Sequence, residues 1–209
     1  MIIKEVMKEV LTTVTPETTL TDAYALMQNK NIRHLPVVEN NKLVGIVTDR
    51  DLRLSTSRLA KHPFEPKEAI KNIMSQPVKT THPSDPIESA AKLMRELKIG
   101  CLPVIEEQRL IGIVTITDML DALLLLTGIN QPSGRLDVRL KNRTGELAKL
   151  AMLLAEYKVN IHSILTYPEK DKTIRLVLRI GTIEIKLIAK AICNAGFEVV
   201  WPTQLACAK

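Results

Sequence analysis

Residues 45–51 read Gly-Ile-Val-Thr-Asp-Arg-Asp, and residues 112–118 read Gly-Ile-Val-Thr-Ile-Thr-Asp, the same phrase with a changed middle. Shifting the sequence by the 67 positions that separate them aligns 6–53 with 73–120 without a gap. The identities include Met7/Met74, Thr13/Thr80, Pro16/Pro83, Leu26/Leu93, Met27/Met94, Leu35/Leu102, Pro36/Pro103 and Val37/Val104. Gly45/Gly112, Thr48/Thr115 and Asp51/Asp118 complete the set. Apolar positions stay in phase along the whole alignment, which marks a true internal repeat.

Each copy parses in the same way. A short extended segment (Leu11–Val14, Val78–Thr81) leads to a helix with an apolar stripe. The stripe is Leu20, Ala23, Leu26 and Met27 in one copy and Ile87, Ala90, Leu93 and Met94 in the other. In the second copy Asp85-Pro86-Ile87-Glu88 predicts a helix start, with Asp as cap, Pro first and Glu third. Two strands follow, His34–Glu39 and Lys42–Thr48, then Cys101–Glu106 and Arg109–Thr115, turning at Asn40-Asn41 and Glu107-Gln108. Thr48 or Thr115 then opens a second helix. A β-α-β-β-α unit of about 50 residues is too small to bury its sheet alone, so two copies are expected to stack. Residues 55–72 read as a linker with a short helix.

The bulk numbers narrow the function classes. Among 209 residues 45% are hydrophobic but only 3% aromatic, which weighs against a surface that stacks bases on rings. No apolar run approaches the roughly 18 residues of a membrane span. The start, MIIKEVMKEV, has no secretory apolar core, which points away from export. Cys101, Cys193 and Cys207 fit neither a disulfide framework nor a zinc site, so the expected setting is a reducing cytosol. His62 and His82 stand alone, and no metal is assigned. No nucleophile–histidine pair, metal spacing or phosphate loop of enzymes is present, so no catalysis is expected. Residues 1–128 carry 16 basic and 16 acidic side chains, whereas residues 129–209 carry 13 and 7, which itself suggests two modules.

The repeated phrase has two readings. Thr-x-x-Asp at a strand-to-helix junction is a capping box. It is also a nucleotide cradle: a helix amino terminus offers N–H donors to phosphate, and the carboxylate one turn in can accept both ribose hydroxyls. Gly45 and Gly112 would then keep the preceding strand free of side chains. The two readings are compatible.

The doubled pattern Thr-x-x-Pro, helix, Leu-Pro-Val, Gly-Ile-Val-Thr-x-x-Asp resembles a tandem pair of CBS domains, over residues 1 to about 127. The resemblance implies adenosine-containing ligands in clefts between the copies, such as ATP, ADP, AMP, S-adenosylmethionine, NAD or cyclic di-adenosine monophosphate. By that resemblance Asp51 and Asp118 hold ribose, and Thr48 and Thr115 face phosphate. Thr13, His34, Leu35 and Pro36 line the first adenine pocket; Thr80, Cys101, Leu102 and Pro103 line the second. Copy one has Arg33-His34 and Asp49-Arg50 where copy two has Gly100-Cys101 and Ile116-Thr117. Either the first cleft prefers the more anionic ligand through Arg33, His34 and Arg50, or Arg33, Arg50 and Arg53 are solvated surface charges.

Thr127 to Gly134 is dense in breakers and ends the repeat region. Beyond it an alternating strand from Arg135 to Lys141 and a helix from Glu146 to about Tyr157 are expected. A strand follows from about Val159 to Tyr167, with a hairpin at Pro168–Asp171. The last elements expected are a strand over Ile174–Ile180, a helix over Ile183–Asn194 and a strand over Phe197–Trp201. That βαββαβ order is a ferredoxin-like sandwich, and with Asn142-Arg143-Thr144-Gly145 before the helix and Asn160 after it, it resembles an ACT domain. The resemblance implies a small amino-acid ligand near Asn142, Thr144, Gly145 and Asn160, usually at a dimer interface. The family's Asp-x-Pro-Gly loop is altered here, so the domain either binds a ligand or only holds a dimer together. Arg135, Arg139, Lys141, Arg175 and Arg179 also allow a nucleic-acid reading, against which stand Asp137 among them and the missing aromatics.

The expected organisation is α/β (α+β), with CBS repeats at 1–60 and 61–128 and the ACT-like domain at 134–209. A CBS pair followed directly by ACT resembles bacterial proteins of the AcuB, acetoin-utilisation type. That implies a cytoplasmic, homodimeric, non-catalytic sensor acting on an unidentified regulated protein, with no membrane contact.

Overall fold

The computed structural model describes residues 1–57, 63–170 and 172–207. Residues 58–62, with His62 and part of the expected linker, lie outside the described residues, as do Asp171 and residues 208–209. The chain divides into two compact units, Met1–Leu120 and Asp121–Lys209, and its fold class is mixed α/β.

In the first unit both copies adopt the same course. Copy one is α1 (Leu20–Lys30), β1 (His34–Glu39), β2 (Lys42–Thr48) and α2 (Asp49–Ser55). Copy two is α3 (Ile87–Leu97), β3 (Cys101–Glu106), β4 (Arg109–Thr115) and α4 (Ile116–Thr127), the last running past the unit boundary. Both hairpins are antiparallel, and their registers match: His34 pairs Thr48 as Cys101 pairs Thr115, with the bulge at Val37/Val38 and again at Val104/Ile105. The turn residues Asn40, Asn41, Glu107 and Gln108 all have φ between 47° and 64°, the left-handed pair that a two-residue hairpin needs. Asn accepts that region readily and Glu and Gln do not, so the second turn carries more backbone strain. The extended segments expected before each helix are shorter than foreseen: only Val14 and Thr81 bridge to the sheet, beside Val37 and Val104.

The helix starts differ between the copies. Thr19 caps α1, its hydroxyl oxygen accepting from the Asp22 N–H at 3.1 Å. The second copy has Pro86 at the cap position and no side-chain cap. The expected cap by Asp85 is therefore corrected. Its carboxylate faces backward instead, accepting from the His82 N–H at 2.8 Å and the Thr81 hydroxyl at 2.7 Å. These bonds fix the turn that delivers the chain to α3 and hold the Asp85 carboxyl below its usual range.

The segments that open the repeats are exchanged. Ile3 N–H donates to Asp85 O and Lys4 N–H to Pro83 O, and Lys8 bridges Ile113, all in copy two. Ile70 N–H donates to Thr18 O and Lys71 N–H to Pro16 O, and Ser75 bridges Ile46, all in copy one. Ile3 and Ile70 are both fully buried, and Ile70 joins the copy-one core of Leu20, Met27, Leu35, Val37 and Val47. Each hairpin is thus completed by the stretch that leads into the other repeat.

The second unit is β5 (Gly134–Lys141), α5 (Glu146–Glu156), β6 (Ile161–Pro168), β7 (Thr173–Ile180), α6 (Ile185–Asn194) and β8 (Glu198–Trp201). The sheet order β6-β7-β5-β8 is antiparallel throughout, the ferredoxin-like arrangement. Leu136, Val138 and Leu140 of β5 and Leu176, Leu178 and Ile180 of β7 pack with Leu150, Leu154, Ile188 and Ile192 of the helices. The opposite face carries the arginines, in register as Arg135 beside Arg179 and Arg139 beside Arg175. Three of them are engaged: Arg135 with buried Asp137 at 2.8 Å, Arg139 with Glu169 and Glu198, and Arg175 with Glu169 at 2.7 Å. Arg135 also lies 5.2 Å from the Trp201 ring centre.

The cysteines correct the sequence expectation. Cys193 on α6 and Cys207 beyond β8 form a disulfide, leaving Cys101 as a buried free thiol. Spacing does not reveal the pair, because Cys207 follows Cys193 by 14 residues, after a strand and a short 3-10 turn that bring the tail back beside β8. Closing a loop of that length removes unfolded-state freedom worth about 3 kcal/mol. Chemical reduction of the full chain should therefore lower the urea midpoint of the second unit by that amount of stability, and Cys207→Ser should reproduce the effect. Identical unfolding curves with and without reductant would show that the bond does not form in solution.

Candidate functional site

The two strand-to-helix junctions are built alike. At the first, Asp51 Oδ2 accepts from the Thr48 N–H at 2.9 Å and from the Thr48 hydroxyl at 2.7 Å, while the Asp51 N–H returns a bond to that hydroxyl. At the second, Asp118 Oδ2 accepts from the Thr115 N–H at 2.7 Å and its hydroxyl at 2.6 Å. The first N–H of each helix is also taken, Asp49 donating to Arg33 O and Ile116 to Gly100 O. The capping box is therefore real, and Thr48 and Thr115 direct their hydroxyl protons at carboxylates. One oxygen of Asp51, Oδ1, has no hydrogen-bond or ion-pair partner among the described residues, and the residue is half-buried.

The carboxylates differ in what surrounds them. Asp118 is buried, and Lys8 Nζ stands 3.5 Å from its Oδ1. The sequence alone does not reveal this neighbour, because Lys8 reaches copy two only through the exchange of leading segments. The position matching Lys8 by the repeat is Ser75, which carries no charge.

The glycines of the phrase serve packing rather than an open strand. A Cβ at Gly112 would lie 2.7 Å from Met7 Sδ, and one at Gly45 would collide with Met74 Sδ. The strand is free of side chains at these positions, as expected for the cradle, but the space each glycine leaves is filled by the methionine of the exchanged segment.

Between the copies, His34 lies across the boundary. A Cβ at Gly100 would come 2.7 Å from His34 Nε2, so the large residue of one copy sits where the other has no side chain. Burial, with the nearby Arg33 charge, pushes the His34 imidazole below its usual pKa, and Asp51 opposes the shift. Burial, with the Asp51 charge, pushes the Cys101 thiol up to about 12. Both residues thus feel the Asp51 carboxylate, so His34, Cys101 and Asp51 share one region at the junction of the repeats. His34 belongs to that junction and not to copy one alone.

The remaining candidates fall into two groups. Leu35, Pro36, Leu102 and Pro103 are buried, and the Leu35 side chain is part of the copy-one core. Thr13, Thr80, Arg33 and Arg50 are exposed. Thr80 lines a cavity of about 650 Å³ with Lys42, Leu43, Val44, Pro77 and Ile105, at the turn end of the hairpins and away from the junction residues.

In the second unit Asn142, Thr144, Gly145 and Asn160 are all exposed. Gly145, the cap residue just before α5, has φ 89°, where a side chain would be strained. Asn160 follows the far end of that helix, whose 11 residues span about 16 Å. One chain therefore does not bring these four together. Glu146, beside the loop, is held below its usual pKa by Lys149 and Arg143.

Two expectations follow from the junction. Gly100→Ala should cost about 1–3 kcal/mol of stability in a thermal melt, because the ring must move, and adding His34→Ala should recover most of it. An unchanged single variant would show that the contact is loose. His34 gains protons less readily folded than unfolded, so stability should fall as pH drops below about 6.5, the unfolded value. The pH dependence of the melting temperature should flatten in His34→Gln, and a variant with the parent's slope would remove His34 as its source.

Known proteins carry the same parts. Residues 3–56 and 70–125 match the CBS domain, and residues 134–197 match the ACT domain. A CBS domain-containing protein of Dictyostelium discoideum is 39% identical over 136 residues, which is 59% of this chain and 91% of that protein. Among solved structures, the CBS pair of protein MJ0100, in complex with 5′-methylthioadenosine and S-adenosyl-L-methionine, is 28% identical. Its TM-score is 0.53 over 59% of this chain and 95% of that one. A putative acetoin utilization protein (AcuB) from Vibrio cholerae is 33% identical, with a TM-score of 0.53 over 63% of this chain and 98% of that one. With more than half of its length in two matched copies, this chain belongs to the CBS domain family and bears an ACT domain after the pair.

Proposed function

We propose that this protein is a non-catalytic regulator whose CBS pair binds an adenosine-containing ligand at the junction of the repeats. The observation that carries the reading is the Asp51 cradle. Its carboxylate is held rigid through one oxygen, while the other has no partner among the described residues and stands at a half-buried junction. An oriented, unsatisfied carboxylate oxygen suits a ribose diol, since charge-assisted bonds are the strong ones. That MJ0100 carries adenosine ligands in its CBS pair supports the ligand class. ATP, ADP, AMP, S-adenosylmethionine, NAD and cyclic di-adenosine monophosphate all present the required group. A homodimer acting on a separate regulated protein completes the proposal, with acetoin use as the physiological context; the disulfide of the second unit withdraws the cysteine argument for a reducing cytosol.

For the second unit the favoured role is to hold two copies together. The ACT candidates sit at opposite ends of α5, so an amino acid could meet both sets only across a dimer. Leu147 and Met152 on α5 and Leu187 on α6 expose apolar side chains suited to such pairing. The nucleic-acid alternative is weakened by the acidic partners of Arg135, Arg139 and Arg175.

Calorimetric titration against the adenosine ligands tests the proposal, with micromolar binding as the expected result. Asp51→Ala should weaken binding at the first cleft at least about tenfold, through loss of bonds worth roughly 1.5–3 kcal/mol each, and leave the second cleft untouched. The same variant should lose about 1 kcal/mol of stability as a cap. Lost stability with unchanged affinity would leave Asp51 as a cap alone.

A further inference from the structure

The repeated phrase frames two similar junctions, and the exchange of leading segments makes their carboxylates unequal in charge environment. Lys8 is fixed by its backbone, its N–H donating to Ile113 O at 2.9 Å and its carbonyl accepting from Ile113 N at 3.0 Å. Its side chain is 64% exposed yet ends 3.5 Å from an Asp118 carboxylate that is only 6% exposed. Ser75 makes the same two backbone bonds to Ile46 in copy one. Among the described residues no cation stands within ion-pair distance of Asp51, and the neighbouring Arg53 pairs with Asp49 instead.

A buried carboxylate repels an anionic ligand that enters beside it. A resident ammonium removes that penalty, and a long exposed stem lets it turn toward a phosphate while Asp118 keeps its Thr115 bonds. We infer that Lys8 is the phosphate-selecting residue of the second cleft, which therefore takes a phosphorylated adenosine ligand such as a nucleoside diphosphate. The inference rests on the reading of Asp118 as a ribose acceptor. It assigns the preference for anionic ligands to copy two, the reverse of what Arg33 and Arg50 suggest from sequence. Lys8 acts by direct contact with the phosphate and is a specificity residue.

The test compares ADP with adenosine by calorimetry at fixed ionic strength, in the full chain and in an Asp51→Ala background that disables the first cleft. In that background ADP should bind more tightly than adenosine. Adding Lys8→Gln should weaken ADP about tenfold, the loss of one charge-assisted contact at a largely exposed site, and leave adenosine unchanged. Lys8→Arg should restore ADP binding, and thermal melts should show all variants folded.

Equal effects on the two ligands would overturn the inference: a joint gain would make Lys8 a competitor of the ribose, and a joint loss would make it structural. No effect on either, or loss of all binding in the Asp51→Ala background, would overturn it while leaving the nucleotide reading of the full chain intact. Failure of the full chain to bind either ligand would overturn both.

Discussion

The first unit depends on one exchange: the residues leading into each repeat fold onto the other. Met7 fills the space over Gly112 and Met74 the space over Gly45, while Ile3 and Ile70 are buried beside the opposite helices. A β-α-β-β-α unit of about 50 residues cannot bury its sheet, and here neither hairpin has its full packing without the other copy's leading segment. The pair is thus the smallest unit with a complete core. The glycines of the repeated phrase follow from this, since a side chain at either position would meet a methionine sulfur.

The same crossing breaks the symmetry that duplication would impose. His34 extends over Gly100, a fit that works only because the copies differ at those two positions. It places an imidazole, a thiol and a carboxylate near one another where the repeats meet. Lys8 reaches Asp118 by way of the exchanged segment, and its counterpart Ser75 brings no charge to Asp51. Matching hairpin registers therefore frame chemically different junctions.

Local patterns were legible in the sequence and long-range crossings were not. The alternation of β5, the breaker-rich boundary before Gly134 and the two-residue turns at 40–41 and 107–108 each follow from chemistry within a few residues. The Thr-x-x-Asp boxes were legible for the same reason. Asp85 departs from its expected capping role because an Asp before Pro can bond forward as a cap or backward into its own turn, and Thr81 draws it backward. The disulfide, the Lys8–Asp118 pair and the His34–Gly100 fit all join residues whose proximity depends on the tertiary path. Nothing in spacing alone distinguishes Lys8 from any other surface lysine.

The capping and ligand readings of the phrase converge on the geometry of a carboxylate. An ionised Asp accepts through two oxygens, and the cap consumes only Oδ2, which takes both the N–H and the hydroxyl of the threonine. That arrangement fixes the side chain and leaves Oδ1 outside the cap. In copy one this atom has no partner among the described residues, and in copy two it faces Lys8. A residue that secures a helix end is thus also one whose second oxygen is oriented at no further cost in side-chain freedom. Stability and recognition draw on different atoms of the same group, which is why a short phrase can serve the fold and still differ in chemistry between its two occurrences.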